Sequence, residues 1–118
     1  MFKSREVTIV TGVTGGLQGQ VFYGMTNDTA RNVAGAMLGS PVTDLDELCI
    51  SALAELANMI SGNATTRLAE VGYVTNITPP SVVQGEGIRV LTVEAALIIP
   101  IITRFGEIEI NVALQKGA

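Results

Sequence analysis

Ser51, Glu55 and Asn58 follow one another at intervals of four and three residues, which in an α-helix places all three on one face. Glu47 extends the same stripe by one turn. Asn58 is a mediocre helix former for a helix interior, yet its amide can donate and accept hydrogen bonds at once. Orienting a water for attack on an electrophile requires that pair of functions. The same spacing also describes an ordinary solvated helix face, so residue types and intervals alone leave both readings open.

Other segments with a chemical look have plainer explanations. Thr11-Gly-Val-Thr-Gly-Gly16 superficially resembles a nucleotide loop, but it lacks the Lys-Ser/Thr ending and is followed by a strand pattern rather than a helix. It reads as a hairpin turn. Cys49, the only cysteine, lies between Leu48 and Ala52, where a thiol serves as a small buried hydrophobe. Asp44 and Asp46 form a thin carboxylate pair for a metal, and their place at a helix start is explained by capping: Asp44 as the N-cap, Glu47 completing a capping box.

These residues need elements to hold them. Val7, Ile9 and Val13 alternate with small polar residues up to Gly15-Gly16, and Val21, Phe22 and Tyr23 continue the pleated pattern, predicting a hairpin. Thr26-Asn27-Asp28 offers caps for a first helix running to about Leu38, stopped by Gly39 and Pro41. A long second helix runs from Asp44 to about Leu68, with Leu45, Leu48, Cys49, Ala52, Leu53, Leu56, Met59 and Ile60 as its apolar stripe. Short extended pieces and a turn over Gly85, Glu86 and Gly87 come next. The end reads as two long strands, Val90 to Ile99 and Glu107 to Leu114, joined through Arg104-Phe105-Gly106. Pro100 lacks the N–H of a central strand and points to an edge, a bulge or a strand end. The order β-β-α-α-β-β gives an α+β sandwich, a mainly antiparallel sheet covered on one face by two helices.

The 118 residues suit one domain, 1–118, without an internal linker or repeat. With 47% hydrophobic and 15% charged residues the chain is not a disordered tail. A net charge of -4 with scattered basic residues argues against a nucleic-acid partner. No histidine is present, which removes a His-based catalytic base and, with one cysteine, excludes zinc ribbons and internal disulfides. The longest apolar stretch, Ala95 to Ile102, is far shorter than the roughly 18 to 20 residues that span a bilayer. A soluble cytoplasmic protein is expected.

Ser51-x3-Glu55-x2-Asn58, with Pro80 after a gap of twenty-one residues, resembles the signature of the CheC/CheX chemotaxis phosphatases. The run from Ala54 to Ala64, the Ile77-Thr78-Pro79-Pro80 segment, the Gly15-Gly16 hairpin and the last two strands are similar as well. The resemblance implies removal of the phosphoryl group from the aspartyl phosphate of a CheY-like response regulator. No intrinsic cofactor is expected, the receiver carrying its own Mg2+. In that family pattern Asn58 orients the water, Glu55 engages the receiver's lysine, Ser51 is a lesser contact and Pro80 shapes the loop beside the helix. CheC-like members carry two Glu/Asn sets, whereas the first helix here has Arg31 and Asn32 but no Glu-x-x-Asn. One set resembles the CheX branch, whose members are typically homodimers, and the long C-terminal strands offer an edge for such pairing. CheX-like chains usually carry a further helical stretch before the first strand. This sequence reaches that strand at Val7, which reads as a shortened homologue or a trimmed domain. The alternative is a non-catalytic domain that docks a receiver as an adaptor.

Overall fold

Alternation settles the first hairpin. In β2 (Val7–Gly15) the side chains of Val7, Ile9, Thr11 and Val13 fall on one face, and in β3 (Leu17–Met25) those of Val21, Tyr23 and Met25 pair opposite them. Gly15 turns the chain with φ 102°, a conformation that costs a residue without Cβ little. The segment with a nucleotide-loop look is therefore strand and turn. The computed structural model describes residues 2–3, 6–85, 89–90 and 97–117, with side-chain surroundings for 6–85 and 97–117.

After the hairpin come α1 (Asn27–Leu38) and α2 (Glu47–Glu70), then β4 (Thr75–Ile77), β5 (Ser81–Gln84), β7 (Leu97–Thr103) and β8 (Gly106–Lys116). Two short strands, β1 (Phe2–Lys3) and β6 (Arg89–Val90), pair with each other. The described main sheet runs β4-β2-β3-β8-β7, and β5 shares with β4 the outer side of β2. Every pairing is antiparallel, and both described helices lie on one face, the architecture read from the sequence. One row crosses the sheet through Val82, Ile9, Tyr23, Ile110 and Ile99. Leu53 and Ala57 of α2 and Ala30 and Val33 of α1 close over Ile9, Tyr23 and Ile110 to make the core, with Val82 packed against it and Ile99 left exposed at the edge.

The helix ends show how local chemistry sets the boundaries. Thr26 caps α1, its Oγ1 accepting the Thr29 N–H at 3.2 Å, and the Gly39 N–H returns to the Gly35 carbonyl at the other end. For α2 the N-cap is Asp46, not Asp44: its Oδ1 accepts the Cys49 N–H at 3.0 Å. Leu45 packs against the core from the extended lead-in, so the helix starts two residues later than a cap at Asp44 allows. The helix then continues to Glu70, past the expected Leu68.

Between β4 and β5 the chain steps along β2. The Thr78 N–H donates to the Gly12 carbonyl at 2.9 Å, and the Thr78 Oγ1 accepts the Gly12 N–H at 2.9 Å. A Cβ on Gly12 would stand 2.9 Å from that Oγ1, so the close approach requires glycine.

At the C-terminal hairpin the register pairs Pro100 with Glu109 on β7, the edge of the described sheet, so the strand runs through the proline rather than ending at Ile99. The remainder of the expected Val90 to Ile99 strand, residues 91–96, lies outside the described residues, as do Glu86 and Gly87 of the expected turn. On the far face Thr8, Phe22, Asn111 and Ala113 are buried, so its centre is not open to water. The Asn111 Nδ2 donates there to Glu109 Oε1 at 3.1 Å.

Candidate active site

α2 is the longer of the two described helices, and it rests on β2, β4 and β5. Cys49, Ala52, Leu53, Ala57 and Ser61 turn into the protein. The Ser61 Oγ and the Tyr23 hydroxyl share a buried hydrogen bond of 2.7 Å, which ties the helix to the C-terminal part of β3. Burial pushes the Tyr23 phenol above its ordinary pKa, an effect the Ser61 bond partly opposes. At the start of the helix burial likewise raises the Cys49 thiol, which donates weakly to the Asp44 carbonyl at 3.5 Å. A buried thiol kept protonated is a packing group rather than a nucleophile.

With that face anchored, Ser51, Glu55 and Asn58 are all exposed on the opposite one. None of the three side chains hydrogen-bonds to another described residue. Pro80 is half-buried in the link from β4 to β5, at the sheet edge on which α2 packs. Asp46 is pulled below the ordinary carboxylate range, chiefly by the Cys49 N–H, so it stays charged as a cap. Asp44, the other half of the candidate metal pair, supplies its backbone carbonyl instead. Among the described residues there is no group of three or more His, Cys, Asp or Glu side chains able to hold a metal.

Two residues expected in the apolar stripe are displaced from it. Leu48 is 63% exposed and Met59 53%, both on the side of Glu55. At about 100° per residue they sit more than about 100° around the helix from the buried Leu53, a separation that counting intervals of three and four obscures. An angular plot of the stretch would have revealed it.

What the arrangement offers chemically is a long helix presenting a carboxylate and an amide one turn apart, both exposed and without a partner among the described residues. The family description for chemotaxis phosphatase CheX matches residues 7–104 of this chain. The chain belongs to the CheX family. The CheY-P phosphatase CheX of Thermotoga maritima is 38% identical over 97 residues, covering 81% of this chain and 63% of that protein. The chain therefore spans less than two thirds of that relative's length. A crystal structure of CheX from Desulfovibrio desulfuricans shares 32% identity and superposes with a TM-score of 0.83 over 98% of this chain and 76% of that one. CheX of Borrelia burgdorferi, solved as a CheX-CheY-BeF3-Mg2+ complex, shares 30% identity with a TM-score of 0.83, covering 98% and 79%. Among the described residues no helix is long and apolar enough to cross a membrane.

Proposed function

We propose that this CheX-family chain hydrolyses the aspartyl phosphate of a CheY-like receiver domain. The observation that carries the reading is the exposed Glu55–Asn58 pair, without a partner among the described residues, on a helix locked to the sheet. An acyl phosphate is already activated, so the phosphatase has only to position water and hold its substrate in register. Asn58 accepts a hydrogen bond from the water through its carbonyl and donates through its amide, which aims the water's lone pair at phosphorus. The water oxygen bonds to phosphorus as the bond to the aspartyl oxygen breaks, returning a carboxylate and releasing inorganic phosphate. Glu55 pairs with the receiver's lysine and fixes the depth of insertion, with Ser51 as a lesser contact and Pro80 shaping the neighbouring link. Mg2+ belongs to the receiver and neutralises charge on the phosphoryl group there. The Borrelia burgdorferi CheX complex with CheY, BeF3 and Mg2+ supports this choice of partner, and the reaction proposed with it is a cytoplasmic one.

The test is the decay of a phosphorylated CheY-like receiver in Mg2+, with and without the protein. Wild type should accelerate it, and Asn58→Ala should lose about 10²- to 10⁴-fold of that acceleration. Unchanged turnover in the variant would overturn the mechanism, and saturable binding without acceleration by wild type would make the chain an adaptor.

The edge strand supports a homodimer as well. Leu97 and Ile101 on the helix side of β7 and Ile98 and Ile102 on the other are all exposed, so the strand presents apolar surface to both sides of the sheet. A second copy alongside β7 would cover them, and light scattering should then give twice the 12.3 kDa chain mass. A monomer at micromolar concentration would remove this part of the proposal.

A further inference from the structure

We infer that Leu48 and Met59 are the apolar anchors by which the receiver is gripped, an inference that rests on the proposed function. Single exposed leucines are common, and neither residue would mean much alone. Their placement is what matters. They are eleven residues apart, which on an α-helix is about three turns and roughly 16.5 Å, and returns the side chain to within about 20° of its starting direction. Glu55 falls between them on nearly the same line, with Ser51 and Asn58 on its flank. The exposed face thus has an apolar residue at each end, with the carboxylate between them and the amide beside Met59.

At one end Leu48 and Ser51 share with Asp46 and Glu47 the wall of an open cleft of about 540 Å³. From Asp44 to Thr66 the chain has four carboxylates, Asp44, Asp46, Glu47 and Glu55, and no lysine or arginine. The partner that fits is a protein surface with basic and apolar character around an acyl phosphate, and a lysine-bearing receiver has that chemistry. A polar pair on such a face supplies direction but little affinity once its own desolvation is counted. Apolar side chains that are more than half exposed in the free protein gain by burial on docking. Leu48 and Met59 therefore set how tightly the receiver is held, and Glu55 and Asn58 set what happens to it there.

The experiment measures, on the full chain, both the affinity for a BeF3-loaded receiver and steady-state dephosphorylation of the phosphorylated one. Leu48→Ser and Met59→Ser should each weaken binding and raise KM about tenfold with kcat within about twofold of wild type. Asn58→Ala should do the reverse, losing kcat with little change in KM. Leu48→Met and Met59→Leu, which keep the apolar surface, should restore KM, and thermal unfolding should show all four variants folded. Wild-type affinity and KM in both serine variants would overturn the anchors while leaving the phosphatase reading in place. Absence of receiver binding by wild type would overturn both. Loss of a dimer in the serine variants, with receiver affinity per chain unchanged, would assign the two residues to contact with a second copy instead and overturn the inference.

Discussion

The two helices lie side by side on the same face of the sheet, yet they treat their polar side chains differently. On α1, Arg31 pairs with Asp28 three residues earlier, and Asn32 Nδ2 donates to the Phe105 carbonyl at 3.2 Å. Those groups close the helix onto itself and onto the β7–β8 turn. On α2 the carboxylate of Glu55 and the amide of Asn58 meet no described partner. Even within α2 the distinction holds, because Asn63 Nδ2 bonds back to the Met59 carbonyl at 3.1 Å, the ordinary way a helical asparagine satisfies itself. Of these three asparagines, Asn58 alone has no partner among the described residues. On the proposed function, the same contrast divides the pair into one helix that meets the receiver and one that serves as scaffold.

Exchanging the test between the helices sharpens that contrast, and the largest effect is expected on turnover. Asn58→Ala, whose activity loss is set out above, should leave the unfolding midpoint where it was, because an exposed amide without a described partner contributes little to stability. Asn32→Ala should behave in the opposite way. It removes the exposed bond to the Phe105 carbonyl and should cost about 1 kcal/mol or less in denaturant titration, with dephosphorylation unchanged. A fall in turnover for Asn32→Ala comparable to that of Asn58→Ala would mean that α1 also faces the substrate, and the division of labour would fail.

Much of this organisation was legible in the sequence where one local rule governs. The Gly15 turn and the span of α1 between Thr26 and Gly39 follow from backbone preference and capping, and they appear where residue type places them. The Ser51, Glu55, Asn58 stripe was legible for the same reason, since helical spacing alone puts them on one face. Where two plausible local signals competed, tertiary packing decided. Asp44 and Asp46 can each cap a helix, and the need to bring Leu45 into the core selects Asp46. Leu48 and Met59 fit a three-and-four apolar pattern, but a helix on a sheet buries only part of its circumference, and the buried part is centred near Leu53. The pair of hydrogen bonds between Gly12 and Thr78 joins residues 66 positions apart, and neither residue carries a local signal of it.

The caps of the two helices offer a final and smaller test of how they differ. Thr26 closes α1 with a neutral hydroxyl, whereas Asp46 closes α2 with a carboxylate whose pKa is depressed by the N–H bond it accepts from Cys49. A depressed pKa means that the folded state binds the proton less readily than the unfolded one. The charged cap's contribution is therefore complete above the ordinary carboxylate range, near about pH 4, and is lost as pH falls through the lower folded value. Asp46→Asn keeps an oxygen for the Cys49 N–H but cannot titrate. Thermal unfolding should show wild type above Asp46→Asn at pH 7, with the gap narrowing steadily below about pH 4. Thr26→Ala should instead lower stability by about 1 kcal/mol, by the same amount at both ends of that range. A gap for Asp46→Asn that does not change with pH would show that the carboxylate's charge adds nothing to the cap, making the two helix starts equivalent.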